Sequence, residues 1–109
     1  MVAVVIAWYP ATTAILDQDK WSMTIQVPIL MFAGEEDTYK VSSGSSILCC
    51  SVTTARGLAT KAAAAGKPFE LVTYPSTKHG FILGHGGYNP ASYADASKRM
   101  DARLAQTLP

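Results

Sequence analysis

Charged residues are scarce in this sequence. They make up 16% of its 109 residues, against about 25% in an average soluble domain. The net charge is only +1 and the basic residues form no stripe, which excludes a typical nucleic-acid or anionic-membrane surface. Apolar residues reach 49%, so the chain is not a disordered segment. The shortage of charge predicts that part of the surface lies against more protein.

Cysteine and long apolar runs are also scarce. Cys49 and Cys50 are the only thiols. A disulfide between neighbours is geometrically strained, and no second pair is available for a disulfide framework or a zinc site. We therefore expect buried free thiols and a cytoplasmic location. No positive charge precedes Lys20, which argues against a signal peptide, and the apolar runs are too short to span a membrane.

Three apolar segments predict buried strands, at residues 1–8, 27–33 and 69–74. Between the second and third, residues 47–65 predict a helix that ends at Gly66 and Pro68. Strand and helix alternate, which predicts an α/β fold with a parallel sheet and flanking helices. Residues 11–26 are turn-rich and predict irregular structure.

A final helix is predicted to begin at Asn89 and Pro90, an N-cap residue followed by a proline suited to the first helical position. Its expected apolar face is Tyr93, Met100, Leu104 and Leu108. A sheet of three strands leaves the first strand with an open edge and two apolar faces to cover. We therefore expect residues 1–109 to be a single partial α/β domain, the C-terminal part of a larger sheet.

Two polar strings follow strands of this predicted sheet. Residues 34–37, Gly-Glu-Glu-Asp, come after the second strand, and His79 follows the third. The carboxyl ends of parallel strands share one edge of a sheet, so Asp37 and His79 are expected to meet there. A carboxylate beside an imidazole fixes its tautomer and stabilises the imidazolium that forms on proton transfer. Acid before base is the chain order that α/β-hydrolases use after their nucleophile.

The chain resembles the C-terminal part of the dienelactone hydrolase family, a branch of the α/β-hydrolases. The matching strings are residues 7–10, 27–37, 69–75 and 79–81, with residues 93–96 and Arg99 in the closing helix. Tyr74-Pro75 followed by His79-Gly80-Phe81 is the most specific of these. The resemblance implies that Asp37 and His79 are the acid and base of a catalytic triad that cleaves a small ester or lactone without a cofactor.

The family's nucleophile has no counterpart here, since no Gly-x-Ser-x-Gly or Gly-x-Cys-x-Gly elbow occurs. The expected partners are therefore the substrate and either the missing N-terminal part of the fold or another chain, with no nucleic acid and no membrane. The sequence just upstream of Met1 distinguishes two hypotheses. An in-frame elbow there supports a hydrolase, and a stop codon supports an inactive remnant that acts as an interaction module.

Several residues leave alternatives open. Glu35 and Glu36 compete with Asp37 for the role of the acid. Cys49 and Cys50 lack elbow glycines, so packing in a helix is favoured over a nucleophilic role. A metal site built from both histidines, His79 and His85, with Asp37 matches no known ligand spacing, and no metal is expected. The aromatic residues that are candidates for either a pocket or the core are Trp8, Tyr9 and Trp21.

Overall fold

Six elements follow one another in the computed structural model, which describes residues 4–12, 15–82 and 86–107. They are β1 (Val5–Trp8), α1 (Gln18–Met23), β2 (Ile29–Gly34), α2 (Val52–Ala64), β3 (Phe69–Tyr74) and α3 (Pro90–Thr107). Three parts of the predictions lie outside the described residues: residues 1–3 of the first strand, His85 and Leu108. The predicted α/β class with three strands is confirmed.

The strands form one open sheet in the order β1-β2-β3, and both pairings are parallel. The register places Gly34, the last residue of β2, opposite Tyr74, the last residue of β3. The loops that follow these two strands therefore leave the sheet at the same edge. In the described part of the chain, β1 and β3 each pair with β2 alone, so the sheet is open on both sides.

The core lies on both faces of the sheet because successive side chains of a strand point to opposite faces. Two clusters of buried residues result, one containing Leu30, Phe32, Tyr74, Phe81 and Ala96, and the other containing Met31, Ala33, Val52 and Ala55. The first cluster packs against α3 and the second against α2. Phe32 is fully buried, and each such side chain contributes roughly 1.5–3 kcal/mol through burial.

The helix predicted over residues 47–65 begins later than expected, at Val52. The preceding residues turn back on the loop after β2, where the amide of Val41 donates to the carbonyl of Ile47 at 3.0 Å. Ile47, which the periodicity assigned to the buried face, is 55% exposed. The Ser51 hydroxyl caps the helix by accepting from the Thr53 amide at 3.1 Å. A backbone hydrogen bond across the loop between β2 and α2 thus takes the place of the expected first helical turn.

The prediction of irregular structure over residues 11–26 is wrong in part, because α1 lies within it. Its first turn is capped by Asp17, whose carboxylate accepts from the Lys20 amide at 3.0 Å. Only one residue of this helix, Ser22, is buried, so an apolar periodicity that would have revealed it is lacking. No helix of the described ranges has the length and apolar character that a membrane crossing requires.

The start of the last helix agrees with the prediction. The Asn89 side chain accepts from the Ser92 amide at 3.1 Å, and Pro90 is the first helical residue. Tyr93 and Met100 pack against the first core cluster, as the predicted apolar face requires. This helix therefore packs against one face of the sheet and lies beside the loop that follows β3.

Candidate active site

Backbone hydrogen bonds join the loop after β2 to the loop after β3. The Glu35 amide donates to the Tyr74 carbonyl, and the Glu36 amide donates to the Thr77 carbonyl, both at 2.9 Å. The contact is so close that a Cβ at Gly34 would overlap the Thr77 carbonyl oxygen. Glycine is needed at this position because the other loop's backbone occupies the space of a side chain.

This junction brings Asp37 and His79 together across 42 residues of sequence. The Asp37 Oδ2 lies 2.9 Å from the His79 Nδ1, and its Oδ1 accepts from the Tyr39 amide at 3.1 Å. The carboxylate is fully buried, whereas the imidazole is 26% exposed. An ionised carboxylate only accepts hydrogen bonds, so this network assigns the imidazole proton to Nδ1 and the lone pair to Nε2.

The other two acids of the same loop are directed elsewhere. Glu35 accepts from the Thr73 hydroxyl at 3.2 Å and forms an ion pair with Arg56 at 3.5 Å. Glu36 is exposed and contributes its backbone amide to the junction. Of the three candidates for the acid, Asp37 is the one whose carboxylate contacts the imidazole.

Two tyrosine rings lie against His79. The Tyr39 ring is stacked on the imidazole, with centroids 4.5 Å apart and planes at 10°. The Tyr9 ring lies 4.7 Å away at 54°. Tyr9 follows β1 with a positive φ of 35°, an uncommon conformation for a residue with a side chain, and burial raises the pKa of its hydroxyl.

Tyr39 is a contact that the sequence analysis missed. Its position two residues after Asp37 was the available signal, but the stacking depends on how the loop after β2 folds. Tyr9 is a candidate for either the pocket or the core by sequence, and its ring lies against His79 at the candidate site. The two tryptophans lie in packing contacts, Trp8 with Phe32 at 5.0 Å between centroids and Trp21 with Phe69 at 6.4 Å.

The cysteines also lie beside His79. The expectation of free thiols within a helix is wrong, because Cys49 and Cys50 precede α2 and form a disulfide with each other. Both are buried, as expected. The Cys49 amide donates to the Tyr39 carbonyl at 2.7 Å, which fixes the pair in the loop. The two sulfur atoms and a ring nitrogen of His79 all lie within 4.8 Å of one another.

The loop that carries His79 is anchored to α3 by buried hydroxyl groups. Thr77 is fully buried; its hydroxyl donates to the Pro75 carbonyl at 2.8 Å and lies 2.7 Å from the Ser92 hydroxyl. The Asn89 side chain donates to the Ser76 carbonyl at 3.3 Å. These bonds attach the loop to the start of α3 at a point two residues before His79.

A second anchor joins the end of β3 to α3. The Tyr74 hydroxyl donates to the Asp95 carboxylate at 2.7 Å, which also accepts from the Arg99 guanidinium at 2.7 Å. Burial, followed by the hydrogen bond to the carboxylate, raises the pKa of Tyr74. The hydrogen bonds from Tyr74 and Arg99 hold the pKa of Asp95 below its usual value. The charged form of Asp95 is therefore the one that the fold stabilises.

A cavity of about 600 Å³ opens beside the imidazole. This volume is in the range of small-molecule sites. Its lining includes His79, two lysines and a serine-rich stretch, namely Lys40, Lys78, Ser42 and Ser43. The cavity can therefore hold a small molecule at the imidazole edge, next to positive charge.

Comparison with known proteins gives one family and several structural neighbours. The model of the dienelactone hydrolase family matches residues 1–108, and no curated protein matches the sequence. A provisionally named dienelactone hydrolase from Klebsiella pneumoniae is similar with a TM-score of 0.71 and 23% identity, over 95% of this chain and 42% of that one. Esterase 2 of Thermogutta terrifontis, phosphorylated by paraoxon, is similar with a TM-score of 0.54 and 25% identity, over 73% of this chain and 26% of the esterase chain. This chain thus spans less than half of either protein.

Proposed function

Because this chain belongs to the dienelactone hydrolase family, we propose that it is the acid- and base-bearing part of an ester or lactone hydrolase. The observation that carries the proposal is the hydrogen bond of 2.9 Å between the buried Asp37 carboxylate and the His79 Nδ1. The acid–base pair lies where the loops after two neighbouring parallel strands meet. Such loop clusters at the carboxyl ends of strands are where open α/β sheets bind ligands.

The proposed chemistry is acyl transfer to water through a covalent intermediate. The His79 Nε2 accepts the proton of an attacking cysteine or serine, and later returns it to the leaving group. Asp37 holds the ring with Nδ1 protonated and stabilises the imidazolium. The chain has no elbow motif, so the nucleophile comes from residues outside it, either upstream in the same protein or on a partner chain.

The substrate we propose is a small ester or lactone held in the cavity beside His79. The cavity's volume of about 600 Å³ suits such a molecule. Lys40 and Lys78 in its lining favour a substrate that carries a carboxylate. A cytoplasmic location stays a prediction without the support of free thiols, since Cys49 and Cys50 form a disulfide. Fractionation of the producing cells would test it.

The test uses the longest reading frame that contains this sequence. If an in-frame elbow lies upstream of Met1, the longer protein should hydrolyse p-nitrophenyl acetate and a small lactone. His79→Gln should lower kcat by at least about 10⁴-fold, and Asp37→Asn by about 10⁴-fold, since an isosteric amide leaves the ring in the wrong tautomer. Glu36→Gln, which changes an exposed carboxylate on the same loop, is the matched control and should keep full activity.

The 109-residue chain alone provides the complementary measurement. With its disulfide intact it should hydrolyse p-nitrophenyl acetate no faster than its His79→Gln variant, because it lacks the nucleophile. A clear rate that depends on His79 would contradict the external nucleophile. Full activity of the longer protein without His79 would contradict the role of the acid–base pair itself.

The open sheet edge favours a second candidate, an interaction module without catalysis. In the described part of the chain β1 pairs only with β2, and an unpaired edge can accept a strand from another chain. A stop codon directly upstream of Met1, together with an inactive chain that captures a strand-forming partner, would support this candidate. Hydrolysis by the longer protein would decide against it.

A further inference from the structure

The proposed hydrolase chemistry leaves the Cys49–Cys50 pair, which lies beside His79, without a role. Cys49, Cys50 and His79 come from two loops that are 29 residues apart in sequence, and their two sulfurs and a ring nitrogen lie within 4.8 Å of one another. Two thiolates and an imidazole are ligands that Zn²⁺ and related thiophilic cations prefer. We propose that these three residues form a binding site for a zinc-type cation when the disulfide is reduced.

The distances suit this assignment. In a tetrahedral zinc site with bonds of about 2.3 Å to sulfur and 2.0–2.1 Å to nitrogen, the ligand atoms lie about 3.6–3.8 Å apart. Three atoms that already lie within 4.8 Å reach this arrangement by rotation of side chains once the sulfurs separate. Three protein ligands leave a fourth position for water or another small ligand, as in a catalytic type of zinc site.

The surroundings of the imidazole match those of a metal ligand. A ligating histidine usually donates its other ring N–H to a carboxylate, which fixes the tautomer and makes the ligating nitrogen more basic. The Asp37 carboxylate, 2.9 Å from the His79 Nδ1, supplies that contact and leaves Nε2 for the ion. The hydrogen bond from the Cys49 amide to the Tyr39 carbonyl, at 2.7 Å, holds the thiol loop beside it. The imidazole and the loop that carries the cysteines are therefore held side by side before an ion arrives.

Reduction of the Cys49–Cys50 disulfide takes its electrons and protons from an added dithiol. Dithiothreitol transfers two electrons and two protons to the Cys49–Cys50 disulfide, giving two thiols and oxidised dithiothreitol. Binding of Zn²⁺ then releases two protons to solvent as the thiols become thiolates. Oxidation and metal binding thus exclude each other, because the same two sulfurs take part in both.

One consequence rests on the proposed function. If His79 is the base of the hydrolase, an ion at its Nε2 removes the lone pair that accepts the proton, and the metal-bound form is inactive. Binding of the ion is measured without any substrate. A failure of the metal site and a failure of the hydrolase are therefore separate results.

The experiment measures Zn²⁺ binding to the 109-residue chain, reduced with dithiothreitol and then freed of it without oxygen. The reduced chain should bind one Zn²⁺, by equilibrium dialysis and elemental analysis, and Cd²⁺ should give the ultraviolet absorption of cadmium–thiolate bonds. The oxidised chain has the same sequence and should give neither signal. His79→Gln should weaken binding by more than about tenfold, since losing a ligand costs at least as much as losing an outer contact.

Matched variants identify the ligands. The double variant Cys49→Ser, Cys50→Ser should bind no Zn²⁺, and His85→Gln, which changes the other histidine, should bind like the unaltered chain. If the serine variant does not fold, as judged by circular dichroism, the oxidised chain replaces it as the thiol-free control. No binding by the reduced chain, equal binding by the oxidised chain, or an unchanged affinity in His79→Gln would overturn the proposal.

Discussion

The backbone of Gly34 and the carbonyl oxygen of Thr77 lie so close together that no side chain fits between them. One residue ends β2 and the other lies in the loop after β3. Their contact, together with the hydrogen bond from the Glu36 amide to the Thr77 carbonyl, sets the distance between the loops. Asp37 and His79 lie within three residues of this contact, which explains how two positions far apart in sequence share a hydrogen bond.

Replacing Gly34 by alanine should destabilise the chain by about 1–3 kcal/mol, because the new methyl group forces two backbone segments apart. Urea unfolding followed by circular dichroism measures this change. Gly86→Ala is the control, since a Cβ there meets no atom within 4 Å; its free energy of unfolding should change by less than about 0.5 kcal/mol. Equal stability of the two variants would show that the junction is not tightly packed.

The tautomer of His79 should depend on Asp37. The carboxylate accepts from both the Tyr39 amide and the imidazole. In Asp37→Asn the amide oxygen remains opposite the Tyr39 N–H, so the NH₂ group faces Nδ1 and forces the ring proton to Nε2.

Long-range ¹H–¹⁵N spectra of the labelled ring distinguish the two tautomers. The unaltered chain should show a protonated Nδ1 in its neutral form, and Asp37→Asn a protonated Nε2. Glu36→Gln should resemble the unaltered chain. A neutral ring already protonated at Nε2 before any substitution would contradict the proposed base.

Stability should fall in acid through Asp95. Its pKa is lowered by the hydrogen bonds from Tyr74 and Arg99, so its contribution is fully present above the unfolded pKa of about 3.9. That contribution is lost as the pH falls through the lower pKa of the folded state. The stability difference between the unaltered chain and Asp95→Asn should therefore shrink between about pH 5 and pH 2.

Urea midpoints measured across this pH range provide the test. Tyr74→Phe removes the largest cause of the lowered pKa and should weaken the pH dependence. Asp101→Asn, an exposed aspartate of the same helix, serves as the control. A stability difference between the unaltered chain and Asp95→Asn that stays constant over the whole range would exclude a role for this carboxylate.

The 109-residue chain should self-associate through β1. Among the described residues this strand is paired on one side only, and Val5 on it is 41% exposed. Sedimentation velocity should show association that increases with protein concentration. Val5→Lys should reduce it, because a charge on an edge strand opposes pairing. Leu16→Lys, at a 96% exposed position outside the sheet, should have a smaller effect; a monomer at all concentrations would contradict the prediction.

Local sequence patterns account for the strands and for the start of α3. The segment from Phe69 to Tyr74 is a strand as predicted, because its apolar residues alternate between the two core clusters on the two faces of the sheet. Asn89 and Pro90 begin the last helix, because a cap and a first-turn proline act within a few residues. These signals need no knowledge of distant parts of the chain.

Local patterns failed where backbone hydrogen bonds across the loop between β2 and α2 replaced the expected helical ones. Residues 47–50 have helical spacing, yet the amides of Val41 and Cys49 bond across the loop to Ile47 and Tyr39, and the helix starts at Val52. The adjacent cysteines suggested inert packing. Their closeness to His79 could not be read from spacing, because it depends on how that loop folds back.

The sequence alone determined that carboxylates and a histidine stand at one edge of a parallel sheet, since strand direction and the order of the loops follow from the chain itself. The tertiary structure decided which carboxylate meets the imidazole, which rings stack on it and that a cysteine pair lies beside it. The physical reason is that strand direction is set by local apolar patterns, whereas the contacts of a loop are set by close packing and hydrogen bonds between segments far apart in sequence.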